Sequence, residues 1–164
     1  MQSLLSPLDK FLRGMLVVLM AALVFAVSWQ VVSRYLFASP SSWTEEVARF
    51  LLIWIGTLGA AYAFRTNMHI GLDLLPKKLT GNAARNLHWF TLAVIIVFAV
   101  AVLVIGGATL VYLTWDLRQY SAVLGLPISI VYSVIPLTGV LIVVYSVAAL
   151  GTVPEADVAG EVDL

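Results

Sequence analysis

Residues 43–75 read WTEEVARFLLIWIGTLGAAYAFRTNMHIGLDLL, and the placement of charge along this stretch decides the fold. Glu45, Glu46 and Arg49 stand at its front and Arg65, His69 and Asp73 at its back, while the fifteen residues 50–64 between them carry no charge. An apolar run with charge at both mouths reads as a membrane helix, because ionised groups are costly at the bilayer centre and settle at its rims. Small residues recur inside the run. Gly56 and Ala60 stand four apart, Gly59 and Ala63 repeat the interval, and Trp54 lies one turn ahead of Leu58. That spacing suits close helix packing in lipid, within this chain or against another subunit.

The whole chain agrees with the stretch. Its 164 residues are 62% hydrophobic and only 11% charged, with a mean hydropathy of +1.02. A soluble domain carries about 25% charged residues, so this composition cannot clothe a water-facing surface. An all-α integral membrane protein is expected. Formal net charge is zero, which gives no footprint for nucleic acid, and the lack of cysteine excludes disulfides and thiolate metal sites. At about 20 apolar residues per span, the chain accommodates four helices. The expected spans are about 14–36, 46–64, 87–115 and 126–150, in one membrane domain over residues 1–152, with an acidic tail at 153–164.

Local signals place the helix ends. Ser6-Pro7 resembles an N-cap with proline at the first helical position, and Asp9 then sits in the first turn. Lys10 and Arg13 precede an apolar run too long for a signal-peptide core, so a retained first span is expected. Ser42-x-x-Glu45 fits a capping box, starting the second helix near Trp43 and running it to about Phe64. A polar connection over 65–85, broken by Pro76 and Gly81, should follow. The uncharged run 86–115 would be about 45 Å long as a helix, so it must tilt across a ~30 Å hydrocarbon core or project from it. Trp89, Tyr112 and Trp115 mark its ends as interfacial belts, and Pro136 should kink the fourth helix.

Basic residues give the orientation. Lys10, Arg13, Arg65, Lys77, Lys78 and Arg85 share one side of a four-span chain, against Arg34, Arg49 and Arg118 on the other. The positive-inside rule puts both termini in the cytoplasm. Trp43, Glu45, Glu46 and Arg49 then face outward, and Arg65, His69 and Asp73 inward.

No ionisable residue falls at the centre of any expected span, so the marks of a proton relay or an intramembrane substrate site are missing. Glu45 can pair with Arg49 over one turn and Glu46 at i+3. Alternatively the acids complement the helix dipole and Arg49 snorkels to the interface. Arg65, His69 and Asp73 recur every four residues and, if helical, make one polar stripe. A haem bound by His69 and His88 is the alternative from a different class, although His69 follows a helix end. No phosphate loop, catalytic triad or metal-ligand spacing appears, and neither a catalytic residue nor a metal or other cofactor is expected.

The ordered set W-T-E-E-x-x-R at 43–49, Trp54, L-G-A-A at 58–61, Arg65 and H-I-x-L-D at 69–73 resembles the small membrane subunit of tripartite ATP-independent periplasmic (TRAP) transporters. The likeness extends to Arg34-Tyr35-x-Phe37 upstream and to Pro127 and Pro136 downstream. The resemblance implies a bacterial inner-membrane, non-enzymatic scaffold subunit of a Na⁺-coupled importer of organic acids, of dicarboxylate, 2-oxo acid or sialic acid type. A large multi-span permease subunit would be its constant partner and a periplasmic substrate-binding protein a transient one. On this pattern Trp43, Glu45, Glu46 and Arg49 contact the large subunit, phospholipid or the binding protein at the outer face. Arg65, His69 and Asp73 match the cytoplasmic end of the family's second helix.

Overall fold

The computed structural model describes the backbone of residues 2–36, 41–74 and 82–150, and side chains within 6–36, 41–66, 86 and 89–150. Helix α1 spans Gln2–Leu36 and α2 spans Ser42–Leu74. Helix α3, Asn82–Phe98, passes without a break into a π-helical turn at Ala99–Gly106 and on into α4, Gly107–Asp116. A tight hairpin leads to α5, Ile128–Tyr132, and then α6, Val134–Leu150. Among the described residues the only extended pairing is an isolated bridge between Tyr120 and Pro127. Four stretches among the described residues are long and apolar enough to cross a membrane: Ser6–Leu36, Ser42–Thr66, Trp89–Asp116 and Ile128–Leu150.

Three local expectations need correction. Helix α1 starts at Gln2 and holds Pro7 inside it, so Ser6 is no N-cap and Asp9 lies beyond the first turn. Proline removes only one helical hydrogen bond there, and the residues on either side continue the apolar pattern. Helix α2 begins at Ser42 itself, and Glu45 turns to Arg49 instead of back to the helix start, so the capping box is not made. The Thr44 hydroxyl instead donates to the Ser41 carbonyl at 2.7 Å. At its far end α2 continues to Leu74, well past the expected stop near Phe64. Loss of hydrophobicity marks where lipid ends; residues 65–74 lack any proline that would also end the helix.

The helices pack in a defined order. Helix α1 lies chiefly on α2, α2 on α6, and α6 on the rod formed by α3, the π turn and α4. Helix α6 is thus central, with Val134, Thr138, Gly139, Tyr145, Ser146 and Ala149 buried along it. Leu12 of α1, Leu58 of α2, and Val134 and Tyr145 of α6 form the buried core. Phe11, Phe25 and Tyr35 of α1 are exposed, as expected where lipid or another subunit supplies the remaining contacts.

Two glycines set the closest approach. A Cβ on Gly139 of α6 would stand 2.7 Å from Leu103 Cβ and 3.0 Å from the Val104 nitrogen in the π turn. A Cβ on Gly107 would stand 2.9 Å from Pro136 Cδ. The two backbones therefore nearly touch at two levels. In lipid, where apolar burial gives no drive to associate, such backbone contact is a main source of helix–helix attraction. The π turn, at eight residues, keeps the rod hydrogen-bonded while shifting its register, so that Gly107 meets Pro136 one turn after Leu103 meets Gly139. The fourth span is split at Ser133, three residues before Pro136. The missing N–H of Pro136 leaves the Tyr132 carbonyl without a helical partner.

The interruption is braced from α2. Trp54 Nε1 donates to the Val131 carbonyl of α5 at 3.1 Å. Trp54→Phe keeps a smaller aromatic ring and removes the bond along with some packing. It should cost about 1 kcal/mol, read as a lower apparent unfolding temperature in detergent; an unchanged transition would show that the bond contributes nothing.

Candidate functional site

The two ends of α2 hold the candidate residues, and the structure gives them unequal roles. At the front, Arg49 Nη2 reaches Glu45 Oε1 at 3.2 Å, with both side chains more than 60% exposed. A pair so open to solvent adds little stability; it leaves a charged pair available at the surface beside Trp43, which is half-exposed. Glu46 does not join Arg49. Its Oε2 accepts hydrogen bonds from the backbone N–H groups of Val123 at 3.1 Å and Leu124 at 2.9 Å. One carboxylate thereby ties the start of α2 to the connection between α4 and α5.

That connection is built to present those amides. Arg118 takes a left-handed backbone, φ 47°, and Gly125 does so at φ 64°. Ser121 N–H bonds the Leu126 carbonyl at 2.8 Å and Ile128 N–H the Gln119 carbonyl at 3.0 Å, closing a short hairpin. The Ser121 hydroxyl accepts a second bond from Leu124 N–H at 3.2 Å. Glu46 was not recognisable as this anchor, since the partner amides lie 77 and 78 positions away and amides carry no sequence signature. Glu46→Ala should therefore speed amide hydrogen exchange at Val123 several-fold, and at Leu124 by less, because Leu124 N–H keeps its bond to the Ser121 hydroxyl. Unchanged exchange would remove the anchoring role.

In the middle of α2, Leu58 and Ala61 are fully buried and Trp54 makes its bond to α5. Gly56 and Gly59 do not pack closely: a Cβ on either meets nothing within 4 Å. Ala60 is exposed. Of the four expected packing residues, only Trp54 holds the chain to itself. The close glycine contacts fall on Gly107 and Gly139, the first within the Gly106-Gly107-Ala108 run, the second without any neighbouring motif.

At the back, Arg65 is held by three helices. Its Nε lies 3.4 Å from Asp9 Oδ2 of α1, with the two side chains 17% and 27% exposed. Its guanidinium carbon stands 5.7 Å from the centre of the Tyr145 ring of α6, a cation–π arrangement. Asp9 Oδ1 and the Tyr145 hydroxyl are both buried beside this pair. The Asp9–Arg65 pair had a trace in sequence: the start of one span and the end of the next must share one side of the membrane. Tyr145 had none. His69 and Asp73 stand on the helical backbone of α2 and His88 on that of α3, but their side chains lie outside the described residues. The polar stripe and the haem pair therefore have no geometry to report. Among the described residues no group of three or more His, Cys, Asp or Glu side chains is placed to hold a metal.

The arrangement thus fixes helices at both ends and leaves the middle of the membrane without an ionised group. The chain matches, over residues 23–153, the family described as tripartite ATP-independent periplasmic transporters, DctQ component. It is 30% identical to a TRAP transporter small permease protein of Haemophilus influenzae, over 87% of this chain and 86% of that protein. It is 34% identical to the sialic acid TRAP transporter small permease protein SiaQ of Vibrio cholerae, over 57% of this chain and 50% of that one. It is 29% identical to the isethionate TRAP transporter permease protein DctMQ of Oleidesulfovibrio alaskensis, over 78% of this chain but only 21% of that longer protein.

Proposed function

The chain belongs to the DctQ-component family of tripartite ATP-independent periplasmic transporters, and from that premise we propose that it is the static scaffold that a large permease subunit needs in order to move substrate. It is a TRAP small permease subunit and a multi-pass inner-membrane protein. The observation that carries the scaffold reading is the uncharged interior of all four spans, joined to ion pairs and clamps confined to their ends. A transport path for an organic anion and a driving cation needs polar groups at mid-membrane. Those groups belong to the partner subunit on this reading. The relative named DctMQ supports physical pairing, since its alignment with this chain occupies only a fifth of a much longer permease protein.

The imported substrate is an organic acid, with Na⁺ as the coupled ion. The names sialic acid and isethionate among the relatives differ from one another, in keeping with a small subunit that does not select the cargo. The open small-residue face of α2, at Gly56, Gly59 and Ala60, offers the large subunit a close approach. With both termini cytoplasmic, Trp43, Glu45 and Arg49 lie at the periplasmic face, where the large subunit, phospholipid or the docked binding protein can meet them. Affinity purification of the tagged chain from membranes of cells making the large permease subunit should bring the two down in equal amounts. Recovery of the chain alone under mild detergent would contradict the pairing.

A further inference from the structure

We propose that residues 117–127 form an interfacial foot, a hairpin that lies in the lipid headgroup region at the end of the molecule where α2 begins. Two independent features support a lipid surface as its occupant. The first is how the backbone is satisfied. Leu117, Arg118 and Gln119 N–H groups bond back into the end of α4, and those of Ser121, Gly125 and Ile128 bond within the hairpin. Val123 and Leu124 donate to Glu46. A loop tip in bulk water has no need of a carboxylate from another helix, because water solvates its amides. Where water is scarce, backbone donors need internal partners, and at least seven of the ten N–H groups of residues 117–126 have one.

The second feature is what the hairpin exposes. Tyr120, Val123 and Leu126 are 58%, 52% and 47% exposed. In the chain they follow Leu117 and the exposed Tyr112 and Trp115 at the end of α4. Tyrosine and tryptophan gather at headgroup depth, with the ring toward the acyl chains and the polar atom toward water. A hairpin that follows a membrane-spanning helix in the chain and exposes such residues extends the lipid contact sideways from the helix end. Arg118 and Asp116 are the charged groups of the turn, and both are exposed, as groups that reach for phosphate and water should be.

The chain contains no cysteine, so single labels can be placed without altering any native thiol. Val123→Cys, Leu126→Cys and Arg118→Cys variants of the full chain, carrying a nitroxide, are compared in native membrane vesicles containing the intact transporter. Collision with oxygen, which partitions into lipid, is measured against collision with a water-soluble nickel chelate. The proposal expects an oxygen-to-nickel ratio several-fold higher at positions 123 and 126 than at 118. A ratio at 123 and 126 as low as that of a water-exposed label, with the nickel chelate colliding freely, would place the hairpin in water and overturn it. Exclusion of both reagents from 123 and 126 would overturn it as well, by showing that a protein surface covers the hairpin. Both tested side chains are about half exposed, so the labels do not disturb packing.

Discussion

Gly139→Ala should destabilise the subunit by about 1–3 kcal/mol, and Gly139→Leu should prevent recovery of folded protein. The new Cβ would meet Leu103 Cβ at 2.7 Å, Val104 Cγ2 at 2.9 Å and the Val104 nitrogen at 3.0 Å. Two of those atoms are backbone or Cβ, so no side-chain rotation relieves the clash, and α6 must move off the π turn. The usual gain of alanine over glycine in a helix, about 1 kcal/mol, works against the penalty but does not cancel it. In detergent the apparent unfolding temperature should fall by roughly 2–12 °C. Gly56→Ala is the matched control, because a Cβ there meets nothing within 4 Å and only the helix-forming gain remains. A Gly139→Ala protein as stable as Gly56→Ala would mean that the α6 crossing is not as close as described.

Arg65→Leu should cost about 2–3 kcal/mol, a figure set below the full range for buried pairs because the partners keep some solvent contact. The loss has two parts. Asp9 is left as a half-buried carboxylate without its cation, and the cation–π contact with Tyr145 disappears. The partner-free Asp9 should account for most of the damage, so Asp9→Asn placed in the Arg65→Leu background should restore about half of it. Helix α1 lies chiefly on α2, so this pair is a main attachment of its N-terminal end. Additive losses in the double variant would show that the two groups do not interact.

The fold was legible from composition and charge spacing because lipid imposes so few solutions. Apolar runs bounded by charge must be helices, and 164 residues hold four of them. Helix ends were less legible. Ser42-x-x-Glu45 and Ser6-Pro7 offered local capping chemistry, yet Glu45 found Arg49 and α1 ran through Pro7. Residues 65–74 stayed helical because polarity alone does not break a helix. The clamps were least legible of all. Glu46 and Arg65 were visible as charged end residues, but their partners are backbone amides of Val123 and Leu124 and a tyrosine on α6, reached only through the tertiary arrangement. Gly139 is likewise an ordinary helix glycine until Leu103 and Val104 are seen against it.

On the scaffold proposal, the clamps at the helix ends and the close α6 crossing shape a chain that leaves mid-membrane chemistry to another subunit. Binding-protein-dependent uptake of the organic acid, measured in proteoliposomes under a Na⁺ gradient, tests that claim most directly. The large subunit alone, this chain alone, and the two together are compared at equal protein density. The account predicts uptake only with both chains present. Full uptake by the large subunit alone, or any substrate flux through this chain alone, would contradict it.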